Sequence, residues 1–241
     1  MVHKLSSRGL VKSYRGKAAV KGLDISVSTG EIVGLLGPNG AGKTTTFYMI
    51  VGMVKADGGE IFLDDTDISR LPMYQRARLG ISYLPQEPSI FRRLTVRDNI
   101  RAILEIKGYG KAETDERLSE LLDEFKLREF SERKGMHLSG GERRRTEIAR
   151  TLATDPTFIL FDEPFAGIDP IAILELKQTL RYLKGKGLGI LLTDHNVRET
   201  LSITDRAYII SDGSVLDEGE PERLIDNPEV RAAYLGEEFR L

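Results

Sequence analysis

Nine residues, GPNGAGKTT from Gly37 to Thr45, constrain this chain more than any other stretch. They fit the spacing G-x-x-x-x-G-K-[ST] through Gly37, Gly42, Lys43 and Thr44. That spacing functions only where a strand delivers the loop and a helix leaves it. The apolar run IVGLL (Ile32 to Leu36) stands before it, and a helix is predicted after it. Glycines let backbone N–H groups curl around an anion, and the helix N-terminus adds partial positive charge. Gly37, Pro38, Asn39, Gly40, Ala41, Gly42, Lys43, Thr44 and Thr45 are therefore the candidate nucleotide-binding set. Lys43 is expected to reach the outer phosphates, and the Thr44 hydroxyl to ligate Mg²⁺.

Two further runs resemble IVGLL: FILF (Phe158 to Phe161) and GILL (Gly189 to Leu192). None alternates with polar residues, which predicts strands buried on both faces of a parallel sheet. One leads into Asp162-Glu163, the other into Thr193-Asp194-His195. Open α/β sheets bind ligands at the carboxyl ends of their strands, so three such ends predict one active site. Asp162 is the candidate to hold Mg²⁺ through water. Glu163 is placed to orient or deprotonate the attacking water, and His195 to reach the γ-phosphate or hold Glu163. Gln86 follows another short strand, Ile81 to Leu84; it either senses Mg²⁺ and water or is an ordinary loop residue. Tyr14 either stacks on an adenine face or packs within the fold.

Before the loop, Val20, Leu23, Ile25 and Val27 roughly alternate with polar or small residues, and GEIFLDD (Gly59 to Asp65) adds a strand. A small antiparallel sheet is expected there. Between Gln86 and Leu138 the character turns helical: TVRDNIRAILEIKG and TDERLSELLDEFKL read as amphipathic helices, with Leu118, Leu121, Leu122 and Phe125 on one face. A helix is predicted after Pro170, with Ile173, Leu176, Leu180 and Leu183 on one side and a stop at Gly185 and Gly187. PEVRAAYLGEEFRL suggests a short helix closed by Gly236 and a brief tail.

The formal net charge is −2 over 241 residues, which gives no support to a nucleic-acid binder. There is no cysteine, so disulfides and thiolate metal sites are excluded. No apolar run approaches the roughly 18–20 residues a membrane helix needs, and no signal-peptide core is present. The chain is expected in the cytosol, reaching any membrane only through a partner.

LSGGERRR (Leu138 to Arg145) holds a second pair of glycines where a helix begins. Ser139 and Glu142 fit a capping box, which explains a helix start. Gly140 and Gly141 do not help one, because each costs about 1 kcal/mol relative to Ala in a helix. Bare backbone N–H groups suit an approaching phosphate instead.

The phosphate loop, Gln86, LSGGE, FILFDE, GID and His195 occur in the order found in ABC-transporter ATPase subunits, which the whole chain resembles. The resemblance implies an α/β P-loop NTPase (RecA-like) core, an N-terminal antiparallel β-subdomain and an inserted helical subdomain. Expected boundaries are residues 1–88 and 150–217 for the core, 89–149 for the helical block and 218–241 for the C-terminal helices and tail. It implies MgATP hydrolysis by a head-to-tail homodimer, in which Ser139, Gly140, Gly141 and Glu142 face the partner's ATP. It further implies an adenine-stacking Tyr14, Glu163 as general base, His195 as switch and Asp169 at the dimer contact.

SIFRRLTV, SGGERRRTEIAR, DEPFAGIDP, TDHNVRETL and YLGEEFRL are similar to the ATPase subunits of lipopolysaccharide-export transporters. These pair with two transmembrane subunits on the cytoplasmic face of the inner membrane. ATPases of branched-chain amino-acid importers are the alternative within the family, and soluble non-transport ABC ATPases a more distant one. Phe91, beside Arg92, suits an anchor in a partner's groove, or else packs within the helical block.

Overall fold

The computed structural model describes residues 1–236 and Phe239, so most of the tail read from GEEFRL lies outside the described residues. In chain order the elements are β1 (Lys4–Tyr14), β2 (Lys17–Ser28), β3 (Ile32–Leu36), α1 (Lys43–Val51), β4 (Gly58–Leu63), β5 (Thr66–Asp67), α2 (Met73–Arg78) and β6 (Ile81–Leu84). Then come α3 (Val96–Lys107), α4 (Lys111–Glu124), α5 (Gly140–Leu152), β7 (Phe158–Asp162), α6 (Pro170–Gly185), β8 (Gly189–Thr193) and α7 (Val197–Leu201). Last are β9 (Arg206–Ser211), β10 (Ser214–Gly219), α8 (Pro221–Asp226) and α9 (Pro228–Val230), followed by a π turn over Arg231–Leu235. Among the described residues no helix is long and apolar enough to cross a membrane.

Two compact units form: residues 1–83 with 157–241, and residues 84–156. The first contains two sheets. Strands β2-β1-β4-β5 make the antiparallel sheet. The other runs β10-β9-β3-β8-β7-β6, with β3 parallel to both β8 and β9 and β7 parallel to β8. Every residue of β3, β7 and β8 is buried, as unbroken apolar runs require. One face of the sheet packs Val33, Leu35, Leu160 and Leu191 against Phe47, Met49 and Ile50 of α1. On the other, Leu36 and Ile209 meet Leu201, Leu224 and Val230. A side chain as fully buried as Phe47 stabilises by about 1.5–3 kcal/mol.

Helix α1 is bounded by left-handed glycines, Gly42 and Gly52. Its last carbonyls are met by Arg76, whose guanidinium donates to Met49 O at 2.7 Å and Ile50 O at 2.6 Å. A buried cation there complements the negative end of the helix dipole. Helix α6 starts on the Asp169 cap and buries Leu176, Leu180 and Leu183, while Ile173 is only half-buried. Gly185 is its last residue, and Gly187 takes the left-handed conformation just beyond.

In the second unit α3, α4 and α5 share a core. Leu118, Leu121, Leu122 and Phe125 are all buried, along with Leu104, Ile148 and Leu152. Helix α4 begins at Lys111, a turn before the Thr114 at which the sequence pattern opens.

Candidate active site

The phosphate loop leaves β3 at Leu36 and enters α1 at Lys43. Gly37 has φ 147°, and a Cβ there would lie 2.0 Å from the Ile210 carbonyl oxygen. Gly42 has φ 102°, with the Ala19 carbonyl oxygen 2.5 Å from a Cβ. Gly40 also has positive φ but faces open space. Neighbouring backbone thus presses on the loop at two of its glycines. Gly37→Ala is expected to cost ~3 kcal/mol or more, on the scale of severe overpacking. Gly40→Ala should cost only about 1 kcal/mol, for its backbone conformation alone. Thermal melts of the two variants check this ordering.

Lys43 Nζ donates to the carbonyls of Gly37 at 2.6 Å and Pro38 at 2.9 Å, which holds it over the loop. Burial lowers its pKa, and the negative charge of Glu163 opposes that shift. Thr44 is exposed at the start of α1 with Thr45 next to it, and Pro38, Asn39, Gly40 and Ala41 complete the turn.

Strand register brings the other ends level with the loop. Leu35 pairs with Thr193, and Thr193 with Asp162. Asp162 is 5 % exposed, and burial pushes its carboxyl pKa up. The hydroxyls of Tyr48 and Tyr83 offset that rise, and the adjacent Glu163 adds to it. Glu163 follows with φ 44°, a left-handed conformation that costs a non-glycine residue about 1–3 kcal/mol. Its N–H donates to Thr193 O at 2.7 Å, and its Oε2 lies 3.3 Å from His195 Nδ1. Asp194, fully buried, accepts from the N–H groups of Phe165 and Asn196, each at 2.8 Å, and lies 3.7 Å from the same His195 nitrogen. Lys43, Thr44, Asp162, Glu163 and His195 therefore sit in one unit at one edge of one sheet.

A sequence profile of the ABC transporter family matches residues 20–166, more than half of the chain. The chain belongs to the ABC transporter family. As an ATP-binding subunit of that family it binds and hydrolyses ATP. It is 55 % identical over 237 residues to the lipopolysaccharide export system ATP-binding protein LptB of Acidithiobacillus ferridurans, covering 98 % of each chain. Its fold matches the ADP conformation of an ABC-transporter ATP-binding cassette with a TM-score of 0.86 and 30 % identity, over 98 % of this chain and 99 % of that one. A dimeric, post-hydrolysis cassette bound to ADP and Pi matches with a TM-score of 0.77 and 26 % identity, over 90 % and 98 %.

Tyr14 ends β1 and is 47 % exposed, with Lys12 Nζ 5.5 Å from its ring centre. Asp169 is exposed, and its Oδ1 accepts from the N–H groups of Ile171 and Ala172 at 3.0 Å, capping α6. In the second unit, Ser139 and Glu142 form both halves of the capping box. Gly140 and Gly141 are the first two residues of α5, and a Cβ on Gly140 would meet nothing within 4 Å. Gln86 is exposed shortly after β6, at the start of that unit. Phe91 is 46 % exposed, with the Arg150 guanidinium 4.8 Å from its ring centre. Its backbone N–H and C=O both bond the Asn99 side chain. Arg92 is exposed, and its carbonyl accepts from Met136 N–H at 2.9 Å.

Among the described residues no cluster of three or more His, Cys, Asp or Glu forms a metal cage. A hydroxyl and one carboxylate are nonetheless a hard-oxygen pair that fits Mg²⁺ shared with phosphate oxygens. Sequence reasoning missed Tyr48 and Tyr83 at this site, and gave Asp194 no role of its own. Tyr48 was accessible as Thr44 plus four, one turn along the same helix face. Also missed was Glu147, a buried acid on α5 that accepts from Ser89 N–H at 2.7 Å and Ile90 N–H at 3.2 Å.

Proposed function

We propose that this chain closes as a homodimer on two ATP molecules and so powers extraction of lipopolysaccharide from the inner membrane for export to the outer membrane. The observation that carries the dimer is Gly140. Its surroundings leave room for a side chain and its φ is ordinary, so the fold of a single copy has no need of glycine there. Something outside the chain does: the γ-phosphate held by the opposite copy, approached by the Ser139–Gly141 backbone at the N-terminus of α5.

In this reading Lys43 binds the outer phosphates and Tyr14 stacks on adenine. Thr44 and Asp162 would hold Mg²⁺, which when bound neutralises charge on the phosphate oxygens. Glu163 accepts the proton of the attacking water as its oxygen bonds the γ-phosphorus and ADP leaves. His195 holds Glu163 in place and responds to the γ-phosphate. Asp169 meets the partner copy. Two membrane-spanning subunits dock at Phe91 and Arg92, so the chain lies on the cytoplasmic face of the inner membrane through them alone, with no role for nucleic acid.

The likeness to a lipopolysaccharide-export ATPase along nearly the whole length supports this cargo. The test is to purify the chain with its membrane subunits from detergent extracts and place the complex in vesicles containing lipopolysaccharide. ATP-dependent extraction of lipopolysaccharide is expected. ATP-dependent uptake of branched-chain amino acids instead would assign the chain to an importer. Phe91→Ala is expected to leave ATPase activity of the isolated chain within about 2-fold and to reduce co-purification of the membrane subunits at least ~10-fold, as loss of an aromatic hot spot does. Unchanged co-purification removes Phe91 from the docking surface.

A further inference from the structure

Asp162 is buried, yet the bonds its side chain receives come from phenols. The Tyr83 hydroxyl donates to Asp162 Oδ2 at 3.2 Å. The Tyr48 hydroxyl is a second hydrogen-bonding group on the same carboxylate. The two rings meet edge to face, 6.4 Å apart at 87°, and Phe47 abuts Tyr83 at 6.0 Å. The two tyrosines come from different elements. Tyr48 is on α1, one turn beyond Thr44, and Tyr83 is on β6, the neighbour of β7 in the sheet.

The choice of donor has a physical consequence. An Arg or Lys would fix the carboxylate equally well but would neutralise it. A phenol fixes it and leaves the full negative charge to attract a cation. A carboxylate has about four lone-pair sites on two oxygens. With Oδ2 engaged by the Tyr83 hydroxyl, the carboxylate keeps further lone-pair sites for a cation or a cation-bound water.

We propose that Tyr48 and Tyr83 are positioning residues for the divalent cation of the ATP site, holding the Asp162 carboxylate so that its remaining lone-pair sites are available to the ion. The proposal rests on the reading of Asp162 as a metal ligand. Outer-shell partners of metal ligands are commonly worth ~10–100-fold in metal affinity. Phenylalanine at both positions keeps the aromatic packing and removes only the hydroxyls.

The test uses the full chain with a non-hydrolysable ATP analogue, Mn²⁺ as the probe and electron paramagnetic resonance to count free ion. The double variant Tyr48→Phe/Tyr83→Phe is expected to weaken Mn²⁺ binding ~10-fold, the lower end of that range. Tyr83→Phe alone should weaken it by a smaller factor. In hydrolysis, the Mg²⁺ concentration for half-maximal rate should rise more than the maximal rate falls. Asp162→Asn is the reference. If it weakens Mn²⁺ binding and the tyrosine variants do not, the tyrosines do not position the ligand. If Asp162→Asn also leaves Mn²⁺ binding unchanged, the metal reading of Asp162 and this proposal fall together. A lowered melting temperature with unaltered Mn²⁺ affinity shows a purely structural role and overturns the proposal. If the double variant does not fold, the Tyr83→Phe titration decides on the same terms.

Discussion

Glu163→Gln is expected to slow ATP hydrolysis at least ~100-fold while leaving ATP binding intact, the range for losing a general base. That loss corresponds to about 2.7 kcal/mol of transition-state stabilisation. The substitution keeps the shape of the side chain and removes its basicity. It also leaves the backbone around the site in place, because the turn is held by main chain: Glu163 N–H to Thr193 O at 2.7 Å and Ala166 N–H to Glu163 O at 3.2 Å. The Glu163 side chain is 31 % exposed, so water reaches it. The left-handed φ of 44° turns the chain sharply away from β7 immediately after Asp162, separating the two acids' surroundings. Asp162 ends up buried with the Tyr83 hydroxyl on its Oδ2, Glu163 beside His195. Single-turnover phosphate release measures the chemical step, and a fluorescent ATP analogue measures binding. An unaltered single-turnover rate means that another group takes the proton.

The strands that carry this chemistry were legible because each is an unbroken apolar run ending in reactive residues. IVGLL, FILF and GILL appear as β3, β7 and β8, lengthened only by Asp162 and Thr193. Strand β9 has a comparable apolar segment, AYII, but ends in an Asp212-Gly213 turn with no chemistry to draw notice. It matters all the same: β9 pairs with β3, and its Ile210 carbonyl sets the limit on Gly37. Val33 and Arg206 pair across more than 170 residues of chain, and no local pattern encodes so distant a partner. The tyrosines on Asp162 were hidden for the same reason. Tyr83 becomes a neighbour of Asp162 only once β6 is known to lie beside β7. Capping, by contrast, is local, and Ser139-x-x-Glu142 behaves as its spacing indicates.

Gly140→Asp offers the sharpest separation between what one copy needs and what two copies share. Within the chain the change is benign. Nothing lies within 4 Å of the new Cβ. Asp ranks slightly above Gly in helix propensity, so the exchange gains about 0.3 kcal/mol there. A carboxylate in the first turn of α5 also interacts favourably with the dipole, by about 0.3–1 kcal/mol. The variant should therefore melt no lower than the native protein and bind ATP with native affinity, since its phosphate loop is intact. Hydrolysis is nevertheless expected to fall at least ~100-fold, because in the proposed dimer the new charge stands where the opposite copy's γ-phosphate approaches. The cost is that of a like-charge contact, several kcal/mol. Lys43→Ala fails for the complementary reason: it loses the cation on the outer phosphates but keeps an intact Ser139–Gly141 turn. Mixed dimers of the two inactive variants then contain one whole site, built from the phosphate loop of the Gly140→Asp copy and the glycine turn of the Lys43→Ala copy. ATPase activity of the mixture should exceed the sum of the two variants measured apart, and dilution below the dimerisation range should abolish the gain. If Gly140→Asp alone hydrolyses ATP at the native rate, no triphosphate approaches that helix terminus, and the shared-site mechanism is wrong.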